Sequence, residues 1–427
     1  MNMGWILILM LFGFIAVGMP ITFSLGLSSL CFFFLNGIPF TTFAQRVAIS
    51  VDSFPLLALP FFILCGNIMN NGGVTRRIFN FAESFLESVK GGLSYVCILS
   101  SAMFSAISGS SLANAAGLGT IQIQALKERG YNTDFSACLT ASAAILGPII
   151  PPSVIMIVFS ITAGVSVQRM FMGGVIPGLI LCAFYVFLCI AYGKKYGFPA
   201  AAGTFHWKRV WETFKDAIWA LLTPLVILGG VFSGIFTATE SGAIACAYAF
   251  IIGVFVYKDL KVKDIFKIVL DTGKTTGSIL FITATAAVFG FCLTYARVPQ
   301  QLAAWLVETI NNKYILLLIF MVVYLFLGCI MESSAIVMTT VPIFLPLTNA
   351  LHIDPVYFGV FVGILMSVGT ITPPVGTAMF VICKNTGLSI GEFSKAMIPW
   401  FAAIFLFLLL LIFFPQLVTW LPTLIFG

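Results

Sequence analysis

Two short stretches of this chain place prolines beside glycine, serine and threonine within apolar surroundings. The first is GPIIPPSV at residues 147–154, and the second is GTITPPVG at residues 369–376. Proline removes a backbone donor and clashes with the preceding turn, so each stretch is predicted to interrupt a helix. An interrupted helix presents free carbonyl oxygens at the end of one half and free N–H groups at the start of the other. Such carbonyls suit a sodium ion, and such N–H groups suit a carboxylate.

Two serine-containing stretches, SGSS ending at Ser111 and MESS ending at Ser334, precede the two breaks. We expect each to form the tip of a re-entrant hairpin that faces a break, because non-helical backbone at membrane depth must be buried in protein or line a cavity. The residues predicted to bind sodium at the first break are Ser108, Ser110, Ser111, Gly147, Ile150 and Pro152. Those predicted to bind sodium at the second break are Ser333, Ser334, Gly369, Thr370, Thr372 and Pro374.

Four residues are predicted to bind an anionic substrate: Ser108, Asn114, Ser153 and Thr372. Ser153 directly follows the first double proline, where its hydroxyl group is placed to reach the substrate. Glu332 adjoins the second tip among apolar residues, and we predict a role in coupling or gating because ionisable groups in such surroundings are usually functional. Glu240 is predicted to cap the following helix. Arg297 is predicted to anchor an interfacial helix, with attraction of an acid as the alternative.

A purely structural explanation competes with each of these sites. A proline can simply kink one membrane helix, and small residues often indicate close helix packing. A hairpin tip combined with a double-proline break occurs twice in this chain, at 108–111 with 147–154 and at 331–334 with 369–376. This repeated combination favours the functional interpretation, although packing stays an alternative for each single residue.

The composition is that of a membrane protein. Of the 427 residues, 60% are hydrophobic and 8% are charged, whereas soluble domains carry about 25% charged residues. Apolar runs of about 20 residues recur along the chain, which predicts an all-α polytopic membrane protein. Single cysteines in apolar segments and two loop histidines indicate no metal site other than sodium, and no cofactor is expected. Without a phosphate-binding loop or a nucleophile–base–carboxylate set, the chain is predicted not to be an enzyme, and no nucleic-acid partner is expected.

The chain contains an internal repeat. The double prolines at 151–152 and 373–374 are 222 residues apart, and Phe171 and Phe393 have the same separation. The predicted units are a first repeat at 1–195, a cytoplasmic linker at 196–216 and a second repeat at 217–427. The lysine-rich loop at 194–215 corresponds to the tail after Pro415, which has no Lys or Arg. The lysine-rich loop at 258–274 corresponds to the loop at 36–52, whose only basic residue is Arg46. Because Lys and Arg collect on the cytoplasmic side, the two repeats are predicted to be inverted.

Each repeat is predicted to contain scaffold spans, an interfacial helix, a re-entrant hairpin, a broken helix and a last span. In the first repeat these elements are predicted at 4–72, 75–90, 93–126, 133–164 and 173–193. In the second repeat they are predicted at 217–295, 298–312, 314–347, 356–383 and 397–414. Five crossings per repeat also invert the second half, and they put both termini in the periplasm.

Six motifs in this order resemble the large membrane subunit of tripartite ATP-independent periplasmic (TRAP) transporters: GMPITFSLG, LPFFILCGNIM, SGSSLANAAGLG, GPIIPPSV, MESSAIVMTTVPIFLP and GTITPPVG. The resemblance covers essentially the whole chain and implies an ion-transporter-like elevator fold in the bacterial inner membrane. It implies sodium-driven import of an organic acid that a periplasmic binding protein delivers. It also implies a small four-helix membrane subunit, expected as a separate polypeptide because this chain starts directly with the large subunit.

The resemblance leaves the substrate open among carboxylates. Sialic acid (N-acetylneuraminate) is favoured by overall similarity, followed by C4-dicarboxylates. A stand-alone sodium/dicarboxylate symporter is the alternative within transport, and it would take up substrate without a soluble partner. An ion channel is the alternative from another class, and its flux would not saturate with substrate.

Overall fold

The computed structural model describes residues 3–199, 203–298, 301 and 312–427, and every regular element in this part of the chain is a helix. Among the described residues, seven helices are long and apolar enough to cross a membrane, and seven shorter apolar helices accompany them. The prediction of an all-α, multi-pass membrane protein is therefore confirmed.

Eleven helices make up the first half of the chain. Their bounds are α1 Met3–Ala16, α2 Ile21–Leu35, α3 Phe40–Val51, α4 Ala58–Asn71, α5 Val74–Leu86, α6 Gly92–Ser108, α7 Ser111–Ala116, α8 Leu118–Glu128, α9 Thr133–Ala144, α10 Val154–Ala163 and α11 Val167–Tyr196. A short 3₁₀ turn at Phe54–Leu57 leads into α4. The apolar first 35 residues thus form two helices, with Gly18 at φ +89° and Pro20 between them.

Nine helices are described in the second half. Their bounds are α12 Trp207–Phe232, α13 Ala238–Ile251, α14 Val262–Tyr295, α15 Lys313–Gly328, α16 Ser333–Ala350, α17 Pro355–Gly369, α18 Thr377–Thr386, α19 Ile390–Phe413 and α20 Gln416–Phe426. A π-helical turn at Ile252–Val256 extends α13. The predicted interfacial helix at 298–312 lies for the most part outside the described residues.

Helix starts in the second half repeat those of the first half. The starts of α3, α7 and α9 are each 222 residues before the starts of α14, α16 and α17, and the α10–α18 and α11–α19 pairs are 223 apart. The bonds Pro151–Pro152 and Pro373–Pro374 are both cis. The two halves differ at two places. Helices α14 and α16 are each continuous, whereas the corresponding segments of the first half are interrupted between α3 and α4 and between α7 and α8.

Three predicted boundaries differ from the structure. The linker predicted at 196–216 is shorter, because α12 already begins at Trp207. The regions treated as loops at 36–52 and 258–274 contain α3 and the first turns of α14. These segments are polar on one face only, so they form amphipathic helices where polarity alone had indicated loops.

Ion pairs join α5 to the start of α12, and these two helices run antiparallel. Near one end, Arg77 binds Asp216 Oδ1 at 3.1 Å and Asp259 Oδ2 at 2.5 Å, and its guanidinium group lies 3.8 Å from the ring centre of Tyr257. Near the other end, Arg209 of α12 binds the carboxylate of Glu87, which is nearly fully buried. Amphipathic α5 is therefore held by charges at both ends.

Glu83 of α5 joins a third element to this pair. Its Oε1 atom lies 2.9 Å from Arg129, just after α8, and its Oε2 atom lies 3.7 Å from Arg209. A cavity of about 20 Å³ lined by Glu83, Glu87 and Arg129 adjoins the cluster. This volume holds about one water molecule. The corner between the first hairpin and the first broken helix is thus tied to α5 and α12.

We expect Arg77→Met to lower the thermal stability of the purified protein, because two carboxylates and a ring lose their cation at a largely buried position. The expected loss is about 1–3 kcal/mol, the sum of one cation–π contact and two ion pairs whose carboxylates are about half exposed. Its neighbour Arg76 is exposed and pairs with no described carboxylate, so Arg76→Met is a matched control. Melting curves of both variants check this, and equal midpoints would remove Arg77 from the anchoring role.

Candidate functional site

The first hairpin tip touches the first helix break through the backbone. Helix α6 ends at Ser108, Gly109 adopts φ +61°, and the hydroxyl of Ser110 accepts a hydrogen bond from Ala113 N at 3.4 Å as α7 begins. The N–H of Val154, after the double proline, donates to the carbonyl of Gly109 at 3.4 Å. The tip and the start of α10 therefore share a hydrogen bond.

Gly147 makes the closest approach between the tip and the break. A Cβ atom there would lie 2.7 Å from the carbonyl carbon and oxygen of Ser110 and 3.1 Å from Ser111 N. A Cβ atom on Gly109 would lie 2.6 Å from the carbonyl oxygen of Pro152. Only glycine fits at both positions. Gly147 therefore lies directly against Ser110 and Ser111 of the tip, and Gly109 of the tip lies against Pro152 of the break.

Several oxygen atoms at the first break have no protein donor among the described residues. The carbonyl oxygens of Gly147, Ile150 and Pro152 accept no hydrogen bond there. The hydroxyl of Ser108 is buried without a partner, and so is the Oδ1 atom of Asn114, whose Nδ2 atom donates to Ser105. Buried polar atoms are normally paired. This set of neutral oxygens is the donor chemistry that a sodium ion takes.

Ser153 has a structural role that the sequence did not reveal. Its side chain is fully buried, and its hydroxyl accepts a hydrogen bond from Met156 N at 3.3 Å, which makes it the N-cap of α10. The hydroxyl hydrogen stays available for one further acceptor. Ser153 thus lies at the predicted break, but its hydroxyl oxygen already accepts a hydrogen bond within the first turn of α10.

The second hairpin tip contains Glu332, whose carboxylate caps α16. Its Oε2 atom accepts from Ala335 N and its Oε1 atom accepts from the hydroxyl of Ser334, both at 3.0 Å. The side chain is otherwise exposed. A carboxylate at a helix N-terminus is stabilised by the unpaired N–H groups there. Glu240 caps α13 in a comparable way through a capping box with Thr237, which confirms the prediction for Glu240.

The second tip meets the second break with the same type of contact as the first. Val375 N donates to the carbonyl of Cys329 at 3.1 Å. A Cβ atom on Gly369 would lie 2.7 Å from the Cα atom of Gly328 and 2.8 Å from its carbonyl oxygen. Each double proline is thus followed by an N–H group that binds a tip carbonyl, and each break contains a glycine pressed against the tip.

The second break differs from the first because three of its four predicted carbonyls already accept hydrogen bonds. The exception is the carbonyl of Pro374, which accepts none from the described residues. The carbonyl of Thr370 accepts from Ala378 N at 3.0 Å and Met379 N at 3.2 Å, and that of Thr372 accepts from Gly376 N at 3.2 Å. Both threonine hydroxyls donate to carbonyls of α17, at 2.6 Å for Thr370 and 2.8 Å for Thr372. A ligand at these threonines has to share oxygens that the protein already uses.

Helix α4 contributes residues to the first site that sequence reasoning did not assign. A Cβ atom on Gly66 would lie 3.4 Å from the carbonyl oxygen of Ser108, and one on Gly117 would lie 2.2 Å from Asn70 Oδ1. The Asn70 Oδ1 atom also accepts from the hydroxyl of Thr75 at 3.0 Å. For Gly66 the signal was its place within the apolar motif LPFFILCGNIM at residues 59–69, and Asn70 directly follows this motif.

A multi-pass helical protein whose hairpin tips meet helix breaks has the architecture of membrane transporters. The fold is similar to that of the YdaH transporter from Alcanivorax borkumensis, with a TM-score of 0.62 and 16% identity over 88% of both chains. It is also similar to MtrF from Neisseria gonorrhoeae, of a class of antimetabolite efflux pumps, with a TM-score of 0.62 and 14% identity over 88% of this chain and 83% of that one. At these identities the similarity establishes the fold alone.

The family model described as the DctM component of the tripartite ATP-independent periplasmic transporter matches residues 8–417. The chain belongs to this family. The resemblance predicted from the motifs is thereby confirmed, and so is the prediction that the chain is a transporter component and not an enzyme.

Curated relatives include proteins named for different substrates. The chain is 36% identical to the sialic acid TRAP transporter large permease protein SiaM of Vibrio cholerae, over 99% of this chain and 98% of that protein. It is 35% identical to the C4-dicarboxylate TRAP transporter large permease protein DctM of Rhodobacter capsulatus, over 97% and 98%. It is 36% identical to the sialic acid TRAP transporter permease protein SiaT of Haemophilus influenzae over 96% of this chain, which spans 66% of that relative.

We expect Gly147→Ala and Gly369→Ala each to separate a tip from its break, because the added methyl group meets backbone atoms that cannot rotate away. Overpacking of this kind costs about 1–3 kcal/mol. Gly273 in α14 has open space around its Cβ position, so Gly273→Ala is the control. Thermal unfolding in detergent measures the effect. Midpoints for the first two variants that match the control would show that the tip contacts carry no stability.

Proposed function

We propose that this chain is the large permease subunit of a sodium-driven importer of organic acids in the bacterial inner membrane. The observation that supports this most directly is the first break, where buried oxygens without protein donors face a hairpin tip. Neutral oxygens bind sodium without needing to lose a proton. Membership of the family supports the transport class, and the site chemistry supports the ion.

The proposed architecture is a pair of inverted repeats that work as an elevator. Recurrent helix starts support the repeat, and the unequal distribution of lysine between corresponding loops supports the inversion. The moving domain consists of the hairpins and broken helices at 92–163 and 313–386. The remaining spans and the interfacial helices form the scaffold. Both termini then lie in the periplasm.

In the proposed cycle, sodium binds first to the oxygens of a tip and a break. At the first break these are the carbonyls of Gly147, Ile150 and Pro152 with the hydroxyls of the facing tip. Bound sodium adds positive charge beside the first turns of α10 and α18, and the substrate carboxylate then binds there with hydroxyl and amide groups from Ser108, Asn114, Ser153 and Thr372. Glu332 is proposed to couple or gate the second site through its cap of α16.

The proposed partners are a periplasmic substrate-binding protein and a separate small membrane subunit, as the family description "tripartite" suggests. The substrate is a small organic anion. Sialic acid stays the favoured candidate and a C4-dicarboxylate the next, but relatives named for the two differ by only one percentage point of identity to this chain. A further relative is named for isethionate at 35% identity, so an uptake screen needs all three anions.

Uptake into liposomes tests the proposal. The permease is reconstituted with and without the small subunit, the binding protein and an inward sodium gradient, and each labelled anion is offered in turn. We expect saturable uptake of one anion that requires all three additions. Uptake without a binding protein would favour a stand-alone symporter, and flux that does not saturate would favour a channel.

We expect Ser108→Ala to raise the sodium concentration needed for half-maximal uptake several-fold, because it removes a buried hydroxyl that has no protein partner. Ser160→Ala is the control, since Ser160 is equally buried but donates to the carbonyl of Met156 at 2.8 Å. Thr372→Ala is expected to have a smaller effect, because its hydroxyl already donates to Val368. Unchanged sodium activation in Ser108→Ala would remove this residue from the ion site.

A further inference from the structure

Two segments outside the transport site expose lysines together with large apolar side chains. They are 205–215, where α12 begins, and 255–267, which leads from the π-turn into α14, and we call them the basic–aromatic ridge. Its exposed lysines are Lys208, Lys215, Lys258, Lys261, Lys263 and Lys267. Its exposed aromatic residues are Phe205, Trp207, Trp211, Phe255 and Phe266.

Arg77 brings the two segments of the ridge together. Its guanidinium group binds Asp216 of α12 and Asp259 of the loop before α14. Tyr257 adds two hydrogen bonds, since its hydroxyl donates to the carbonyl of Asp216 at 2.9 Å and accepts from Ala220 N at 3.1 Å. The ridge is therefore one continuous surface, although its segments are about 50 residues apart in the sequence.

The ridge carries an excess of positive charge. Arg77 binds both Asp216 and Asp259, so its single charge offsets one of these two carboxylates and one negative charge remains there. None of the six lysines forms an ion pair with a described carboxylate. The Lys215 ammonium lies 5.5 Å from the ring centre of Trp211. Two further acids are Glu212, which is exposed, and Asp264, whose carboxylate accepts from Lys261 N at the start of α14. Six lysines thus face two carboxylates that Arg77 does not hold.

The apolar groups of the ridge indicate what kind of anion fits. Phe266 is 76% exposed, Trp207 is 67% exposed and Phe255 is 65% exposed. Aromatic side chains lie preferentially at the membrane–water interface, where lysine stems extend towards the phosphate layer. A soluble phosphate would leave these rings in water. A phospholipid covers the rings with its acyl region and presents its phosphate to the lysines.

We propose that the basic–aromatic ridge binds the headgroups of anionic phospholipids. Clusters of four to eight basic residues beside membrane helices attract such lipids, at about fivefold in affinity for each residue near the surface. A zwitterionic lipid covers the aromatic groups equally well but leaves the lysine charges uncompensated. Bound anionic lipid holds the α5–α12–α14 corner at the membrane surface, and this role does not depend on which solute is transported.

Lipid binding to the purified permease tests the ridge directly. Retention of phosphatidylglycerol and of phosphatidylcholine is measured by native mass spectrometry during titration of each lipid. We expect the wild-type protein to retain phosphatidylglycerol preferentially. The triple variant Lys258→Gln, Lys263→Gln and Lys267→Gln should bind it on the order of a hundredfold more weakly, with phosphatidylcholine binding unchanged.

Three controls make the result specific. Neutralising the exposed lysines 313, 384 and 395 removes the same charge elsewhere and should leave phosphatidylglycerol retention unchanged. Glu212→Gln removes a negative charge from the ridge and should strengthen retention. For the wild-type protein, raising ammonium acetate from about 0.1 to 1 M should weaken retention, because the Debye length falls from about 10 to 3 Å. The salt series needs no variant to fold.

Three outcomes would overturn the proposal. They are wild-type phosphatidylglycerol retention by a correctly eluting triple variant, equal retention of the two lipids by the wild-type protein, and insensitivity of retention to salt. Loss of co-purification with a small membrane subunit in the triple variant, with lipid retention intact, would assign the ridge to a protein partner instead.

Discussion

Non-helical backbone at membrane depth has to be buried in protein or line a cavity, and the two helix breaks exist under this constraint. Each break is stabilised by the tip of a hairpin, through an N–H group that follows a double proline and binds a tip carbonyl: Val154 with Gly109, and Val375 with Cys329. Such pairing demands that two backbones approach closely. Gly147 therefore lies against the first tip, as a larger residue would collide with it. Tip and break form one unit in each half, and these contacts determine which oxygen atoms of the site remain free to bind a ligand.

The two units share a plan but differ in what they leave free. At the second break, carbonyl and hydroxyl groups of Thr370 and Thr372 bond within the same segment. At the first break, the Ser108 hydroxyl and the carbonyls of Gly147, Ile150 and Pro152 have no donor among the described residues. A cation at the first break competes with no protein donor for the carbonyl oxygens. A cation at the second break that binds Thr370 or Thr372 has to use carbonyl oxygens that already accept hydrogen bonds from the protein. Repeated architecture therefore does not imply equal affinity.

Charges are scarce in this chain, and those near α5 determine how its parts are joined. Glu83 and Glu87 pair with Arg209, Glu83 also pairs with Arg129, and Arg77 joins α12 to the loop before α14. The four acids at this corner form ion pairs with arginines, so the surrounding lysines form no ion pair with them. The same pairing that holds α5 and α12 to the corner after α8 therefore leaves a basic surface beside these helices.

The sequence alone determined the membrane class, the family, the breaks and the tips, because proline, glycine and long apolar runs act locally on the backbone. It did not determine the extent of α12 and α14. Their first turns are polar, and packing against α5 and neighbouring helices makes them helical. The caps by Ser153 and Glu332 are local, because each accepts from an N–H group three residues further along. Only the tertiary structure decided that Val154 N binds the Gly109 carbonyl, that Gly147 lies against Ser110, and that the Ser108 hydroxyl has no partner among the described residues. These outcomes depend on which groups folding places opposite each other, and those groups come from segments that are distant in the sequence.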